Sequence, residues 1–147
     1  MDKRTTRIPA FEFIFIICGI WLIGLGIYFA VLRPALLPED LRYIGASAQD
    51  IQSATPGIVS WLHRVFTVMG GFIMAAGVLL IAVAKNASQM RKSEAMTVLI
   101  LTGVFTVGLM SLINFQLDSD FKWLLLLPPL LWLSGLISYQ RRHPSVQ

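Results

Sequence analysis

Four long hydrophobic runs divide the chain, at about residues 11–32, 59–84, 95–117 and 121–140. Each is about 20 residues or longer, the length at which an α-helix crosses the roughly 30 Å hydrocarbon core of a bilayer. The polar segments between the runs are short, apart from residues 33–58. The pattern therefore predicts an all-α fold, a transmembrane four-helix bundle that forms a single membrane domain over residues 1–147.

The second run carries the clearest helix signals. Thr55 is a suitable N-cap and Pro56 a suitable first residue, because the first turn of a helix leaves its N–H groups unpaired. Small residues in the first and second runs would let helices approach closely, as in many membrane helix pairs. The residues that we predict to serve helix packing are Gly26, Gly70, Gly71, Ala75 and Gly77.

Residues 33–58 form the longest polar segment and are predicted to be an external loop with its own structure. Pro38 begins a short helix signal that Gly45 ends, since glycine readily adopts the left-handed conformation of a helix stop. Ser47 and Asp50 have the spacing of a capping box, which predicts a second short helix. We expect both short helices to lie in the membrane interface.

The fourth run contains two adjacent prolines, Pro128 and Pro129, near its middle. Proline removes a backbone donor and clashes with the preceding helical turn, so the pair predicts a bend in this helix. The connection at residues 118–120 is very short. The third and fourth helices are therefore expected to form an antiparallel hairpin.

Composition supports a membrane location. Hydrophobic residues make up 56% of the 147 residues and charged residues 14%, and the mean hydropathy is +0.71. These values are too apolar for a soluble domain of this size. The single cysteine, Cys18, lies inside the first hydrophobic run and excludes an intramolecular disulfide.

Positive charge is distributed unevenly along the chain. Eight of the 12 lysines and arginines lie in the terminal segments and between the second and third runs, and four lie on the other side. By the positive-inside rule, both termini are predicted to be cytoplasmic and residues 33–58 external. The excess charge follows topology and favours contact with anionic lipid heads, so no nucleic-acid partner is expected.

Polar residues gather at the predicted external ends of the helices. Arg64 needs a partner there, and we expect a carboxylate of the loop helices, Asp118 or Asp120 to supply it. Arg33 and Glu39 lie at the same level. The cluster is either a binding site beneath an interfacial lid or a structural network that ties the loop to the bundle. The candidate ligand- or partner-binding residues are Asp40, Arg42, His63, Arg64, Asn114, Gln116 and Asp118.

The sequence offers no constellation for catalysis, metal binding or cofactor binding. His63 has no second intramembrane histidine beside it, since His143 lies at the opposite end of the predicted bundle. No serine has a histidine and an acid arranged around it. We therefore predict a non-enzymatic membrane protein that binds a lipid-like or small ligand, or a membrane partner.

An alternative is a small proton-coupled transporter that acts as an oligomer. Glu12 invites comparison with small four-helix multidrug exporters, whose first-helix glutamate exchanges protons for cations. In this chain Glu12 lies one residue into the first run, at the predicted cytoplasmic edge. The small-residue faces and the expected bend at Pro128 and Pro129 would suit such a transporter.

Two stretches, LPEDLRYIGAS at 37–47 and WLHRVFTVMGGFIMAAGVLLIAVA at 61–84, resemble a group of uncharacterised small bacterial membrane proteins that are loosely DoxX-like. The match rests on Arg64 followed by the pair Gly70 and Gly71 in the second helix. This resemblance implies a four-helix bundle of the bacterial inner (plasma) membrane, and it supplies no established catalytic residues. The expected partners are membrane lipids and a second copy of the chain or another membrane protein.

Overall fold

The computed structural model describes residues 8–142. The basic residues near the first terminus, among them Lys3, Arg4 and Arg7, lie outside this range, and so does His143. Every regular element within it is helical, which confirms the predicted all-α class. The α-helices are α1 Ala10–Ile27, α2 Pro38–Ile44, α3 Ala48–Ala54, α4 Ile58–Asn86, α5 Lys92–Gly103, α6 Leu109–Gln116 and α7 Leu127–Arg142.

Three short segments extend or connect these helices. A π-helical turn, Tyr28–Leu32, continues α1, and a second π-helical turn, Val104–Gly108, joins α5 to α6. A 3₁₀ turn, Leu124–Leu126, immediately precedes α7. The continuous rods are therefore longer than the individual α-helices.

Within residues 8–142, three rods are long and apolar enough to cross a membrane, namely Ala10–Leu32, Ile58–Asn86 and Lys92–Gln116. They coincide with the first three hydrophobic runs, and they indicate a multi-pass membrane protein. Helix α7 has 16 residues. At 1.5 Å per residue it is about 24 Å long, shorter than the hydrocarbon core of a typical bilayer.

The predicted bend in the fourth run is wrong. Pro128 and Pro129 lie in the first turn of α7, where backbone N–H groups have no partner within the helix and proline removes no hydrogen bond. Upstream, the chain forms a turn and the short 3₁₀ segment instead of a longer α-helix. The proline pair thus begins the helix at residue 127.

Both short helices predicted in residues 33–58 are present. Gly45 ends α2 in the left-handed conformation with a φ of 73°, as expected for a glycine stop. Ser47 caps α3, where its hydroxyl accepts a hydrogen bond from Asp50 N at 3.1 Å. In return, the Asp50 carboxylate accepts one from Ser47 N at 3.2 Å. This reciprocal pattern is the predicted capping box.

Helix α1 lies between α4 and α7 and packs most extensively on α4. The α1–α4 contact is backbone to backbone: a Cβ atom at Gly26 would lie 2.6 Å from the Gly70 carbonyl oxygen. One at Gly77 would lie 2.6 Å from the Gly19 carbonyl oxygen. Only glycine permits such an approach, so the small residues set the distance between the two helices.

Gly71 and Ala75 do not take part in this contact. A Cβ atom at Gly71 would meet nothing within 4 Å, and Ala75 is exposed. The face of α4 that meets α1 contains Gly70, Met74 and Gly77, at helical spacings of four and three. Each of the other two residues follows a contact residue and is rotated about 100° away from α1. Gly71 and Ala75 therefore lie outside the α1–α4 contact, and their role in helix packing stays a prediction.

The hydrophobic core lies at what we call the terminal end, where α1 begins, α7 ends and α4 turns into α5. The rings of Phe15 and Trp132 meet edge to face, with centroids 5.4 Å apart. The Trp132 indole donates a hydrogen bond to the Leu99 carbonyl at 2.9 Å and lies over Gly103. The Tyr139 hydroxyl donates to Ala87 at 3.3 Å. These contacts join α1, α5 and α7 firmly at this end.

Candidate functional site

The opposite end, which we call the loop end, encloses a cavity of about 430 Å³. Its walls come from the last turns of α1, from α2, from α6 and from the 3₁₀ turn before α7. The polar residues on its wall are Arg33, Glu39, Asp40 and Asn114. The apolar residues are Leu25, Tyr28, Phe29, Leu37, Met110, Ile113, Leu117, Phe121, Leu124 and Leu125.

Helix α2 covers this cavity and is fixed by Asp40. The Asp40 carboxylate accepts a hydrogen bond from Leu37 N at 2.8 Å, which satisfies a free donor at the helix start. The same oxygen accepts a hydrogen bond from Arg33 Nη2 at 3.0 Å. One carboxylate therefore both begins α2 and ties it to the end of α1.

Arg33 is the charged residue that connects the most elements at the loop end. Only 10% of its side chain is exposed, and its guanidinium carbon lies 3.9 Å from the centre of the Phe66 ring on α4. Nη1 also donates to the Pro34 carbonyl at 3.0 Å. A planar guanidinium can bind a carboxylate and stack on a ring simultaneously, so Arg33 joins α1, α2 and α4.

Glu39 joins α2 to the turn that follows α6. The residue is 9% exposed, and its Oε2 accepts hydrogen bonds from Ser119 Oγ at 3.0 Å and from Asp120 N at 3.2 Å. Ser119 itself is fully buried. In the sequence, Glu39 and Asp40 are adjacent acids in one helix start, and no local signal shows which of them faces the distant turn.

Two exposed ion pairs lie close in sequence to residues of the cavity wall. Arg42 donates to Asp120 at 2.8 Å, and this hydrogen bond raises the pKa of Arg42 above its ordinary value. Lys122 pairs with Asp118 and holds the pKa of that carboxyl below its usual range through a hydrogen bond and through its charge. Both pairs involve the turn after α6, where water weakens them.

Asn114 and Gln116 lie in different environments. Asn114 is on the cavity wall, where its Nδ2 donates to the Met110 carbonyl at 2.9 Å. Its backbone carbonyl accepts a hydrogen bond from Ser119 N at 3.0 Å. Gln116 is exposed and contributes nothing to the cavity wall. Of the two predicted residues on α6, the structure thus brings only Asn114 to the candidate site.

His63 and Arg64 lie in an open notch beside the start of α4, and Arg33 lines both this notch and the cavity. Among residues 8–142, neither side chain has a partner in an ion pair or hydrogen bond. The predicted pairing of Arg64 is therefore wrong. Three of the carboxylates expected to meet it form ion pairs with other basic residues, namely Asp40 with Arg33, Asp120 with Arg42 and Asp118 with Lys122. The carboxylates of Glu39 and Asp50 accept hydrogen bonds from Ser119 and Ser47.

An apolar groove of about 580 Å³ adjoins the cavity and lies beside the middle of α1. Leu124 and Leu125 line both spaces, so they form the boundary between them. The groove is bordered by Trp21 on α1 and by Leu130 on α7, and Leu130 is exposed on the outside of the helices. The groove therefore opens sideways, and it carries no charged residue on its wall.

Within the described part of the chain, no three histidine, cysteine, aspartate or glutamate side chains are grouped so as to hold a metal ion. Comparison of the chain with protein families, with curated proteins and with solved structures finds no match. The likeness to DoxX-like proteins stays a prediction.

Proposed function

We propose that this protein is a four-span membrane protein that binds a lipid-like amphiphile at its loop end. The observation that carries the proposal is the polarity of two adjoining spaces, which share Leu124 and Leu125 on their walls. Charged and amide groups are confined to the cavity beneath α2, and the groove beyond Leu124 and Leu125 is apolar. Both volumes, about 430 Å³ and 580 Å³, fall in the usual range for ligand sites.

The proposed membrane placement includes α7 as a fourth crossing. The 3₁₀ turn adds about 6 Å to the roughly 24 Å of α7, so that residues 124–142 reach about 30 Å. Four crossings place both termini on one side, and the distribution of basic residues makes that side the cytoplasm. The DoxX-like resemblance is the reason that we propose a bacterial inner membrane.

In this placement the loop end faces the outer leaflet. Helices α2 and α3 would lie in the interface, with Tyr43 and Ile44 exposed toward the lipid head groups. The head of an amphiphile would lie beneath α2, and its tail would follow the apolar groove toward the bilayer centre. The role that we propose is binding, of a lipid or of a small ligand with a similar division of polarity.

The test places a larger side chain at the boundary between the cavity and the groove. In Leu125→Trp, the larger side chain should exclude the ligand, whereas Leu133→Trp adds the same bulk at an exposed position of α7 that lines neither space. Lipids retained by the full chain after purification in detergent would be measured by native mass spectrometry. We expect wild type and Leu133→Trp to retain a lipid and Leu125→Trp to lose it.

A wild-type protein without retained lipid, or equal retention in the two tryptophan variants, would contradict the proposal. The melting temperature in detergent is the control for folding. The cavity has room for the indole of Leu125→Trp, and Leu133 is exposed, so both variants should melt close to wild type.

The transporter alternative has less support. The bend expected at Pro128 and Pro129 is absent, and Glu12 lies in the first turn of α1, at the terminal end. Glu12 lines neither the cavity nor the groove.

A further inference from the structure

The loop-end cavity contains an acidic oxygen that the chain leaves unused. Glu39 is 9% exposed, and the two hydrogen bonds that it accepts both end on Oε2. Among residues 8–142, no donor reaches Oε1. A buried carboxylate is costly unless each oxygen is matched by donors or by a positive charge. Glu39 thus lines a ligand-sized space with half of its hydrogen-bonding capacity free.

Three basic residues of the loop end form ion pairs with acids other than Glu39, and Arg64 lies in the open notch. Arg33 pairs with Asp40, and Arg42 and Lys122 pair with the acids of the turn after α6. The charged residues on the cavity wall are one arginine and two acids, so the wall carries excess negative charge. An anionic head group would be repelled there, and a cationic head group would restore neutrality.

A second unused acceptor lies on the same wall. The side-chain amide of Asn114 donates a hydrogen bond to the Met110 carbonyl of its own helix, and within the described residues no donor reaches its Oδ1. Tyr28 and Phe121 add aromatic rings, whose faces attract cations. The free groups of this cavity therefore accept hydrogen bonds from, and favour, a positively charged donor.

We propose that the cavity recognises an amphiphile with a primary ammonium head group, which donates hydrogen bonds to Glu39 Oε1 and Asn114 Oδ1 while its acyl chains occupy the groove. This inference rests on the proposed function and specifies its ligand. The ligand class is a zwitterionic or cationic aminolipid rather than an acidic lipid. Recognition is by hydrogen bonds to a charged group, which contribute more than neutral ones.

The experiment compares two lipids with the same acyl chains. Full-length protein in detergent is mixed with phosphatidylethanolamine or with phosphatidylglycerol, and retention of each is measured by native mass spectrometry. Both carry a phosphate, but only the first has an ammonium. We expect wild type to retain the aminolipid about tenfold more tightly.

Glu39→Gln is the decisive variant. The glutamine carbonyl can still accept hydrogen bonds from Ser119 and Asp120, and its NH₂ then replaces the free acceptor with a donor. The aminolipid should lose its roughly tenfold advantage, with phosphatidylglycerol retention unchanged. Glu94→Gln makes the same chemical change on an exposed residue at the terminal end and should leave the preference intact.

Asn114→Leu provides an independent test, because it removes the second acceptor and only one hydrogen bond within its own helix. We expect it to lower aminolipid retention severalfold. Equal retention of the two lipids by wild type, or an unchanged preference in both Glu39→Gln and Asn114→Leu, would overturn the ammonium assignment. The proposed function would survive that result if Leu125→Trp still abolished lipid retention, and it would fail if Leu125→Trp had no effect.

Discussion

At the residue scale, Arg33 and Arg42 make ion pairs of similar length in very different surroundings. The Arg33–Asp40 pair is 10% and 20% exposed and is backed by the Phe66 ring, whereas the Arg42–Asp120 pair is largely in solvent. Burial strengthens the interaction and makes the loss of one partner costly, while solvent screens the other pair. Similar geometry should therefore give unequal effects on stability.

Arg33→Ala should lower the free energy of unfolding by about 2–3 kcal/mol, because it leaves Asp40 partly buried without its cation and removes the contact with Phe66. Arg42→Ala, the matched control, should give no measurable change. Reversible unfolding of the full chain with sodium dodecyl sulfate would provide both values. Equal destabilisation by the two variants would show that the Arg33 pair is no more important than a surface pair.

The α3 capping box predicts a pH response of Asp50. Hydrogen bonds from the Ser47 hydroxyl at 2.6 Å and from Ser47 N hold the pKa of the Asp50 carboxyl below its usual value. Since the folded pKa is depressed, the stabilisation of α3 is complete above the unfolded value of about 3.9 and is lost as pH falls through the folded pKa. The carboxyl carbon resonance of Asp50 should accordingly titrate below the reference pKa of about 3.9.

In Ser47→Ala the same resonance should titrate closer to the ordinary value, because the hydroxyl donor is the largest cause of the shift. Asp50→Asn removes the resonance and so identifies it. An Asp50 that titrates at its ordinary value in the otherwise unchanged protein would rule out the capping box in solution.

Side-chain partners were predictable from the sequence only where they are local. The Ser47–Asp50 box spans three residues, and its spacing alone identifies it. The contact between Glu39 and Ser119 joins residues that are 80 positions apart, so it depends on how α2 docks onto the turn after α6. The predicted partner of Arg64 was wrong for the same reason. Membrane depth specifies how far along the bundle a residue lies, but not which side of the bundle it faces.

At the element scale, the neighbouring glycines Gly70 and Gly71 are a natural pair for comparison. A Cβ atom at Gly70 would collide with the backbone of Gly26 and Ala30, but one at Gly71 would meet nothing within 4 Å. Gly70→Ala must push α1 and α4 apart and should cost about 1–3 kcal/mol of unfolding free energy. Gly71→Ala should be neutral or stabilising by up to about 1 kcal/mol, since alanine favours helix.

Unfolding in sodium dodecyl sulfate would compare the two alanine variants directly, with helix content from circular dichroism as the control. If the variants were equally stable, the backbone contact between α1 and α4 would not exist in solution. If Gly71→Ala alone were destabilised, the opposite face of α4 would be the packed one, as in contact with a second copy of the chain.

Element boundaries were predictable where a single physical signal dominates. Length and apolarity identified the three long rods, and Gly45 and Pro38 identified α2. The start of the fourth run was missed, because proline can bend a helix from its interior or begin one at its first turn. Hydrophobic content continues upstream of Leu127 and does not distinguish the two cases. The 3₁₀ turn there also has no simple sequence signal.

At the scale of the whole molecule, the two ends have opposite characters. The terminal end is closed by large aromatic side chains, whereas the loop end is held by ion pairs and hydrogen bonds around a cavity. Polar contacts can close an opening without filling it, because they act along directed bonds at the rim. The sequence indicated that the polar residues lie at one membrane depth. It did not indicate that they divide between a cavity and a notch, because this depends on how α4 and α6 are arranged around α1.

The proposed orientation predicts a labelling pattern. In a Cys18→Ala background, a cysteine is placed at Ser88 in the α4–α5 turn or at Gln49 in α3, both exposed. A membrane-impermeant maleimide applied to intact cells should label Gln49→Cys and leave Ser88→Cys unlabelled until the membrane is permeabilised, because the terminal end is assigned to the cytoplasm. Reversed labelling would invert the orientation and would place the cavity in the inner leaflet.

Gln140→Cys, near the end of α7, tests the fourth crossing separately. If residues 124–142 cross the bilayer, this exposed position lies on the same side as Ser88 and should be labelled only after permeabilisation. If α7 stays at the loop end, Gln140→Cys should react in intact cells as Gln49→Cys does. The ring contacts of Trp132 and Tyr139 on α7 with Phe15 and Phe11 favour the first result, because they place this part of α7 alongside α1.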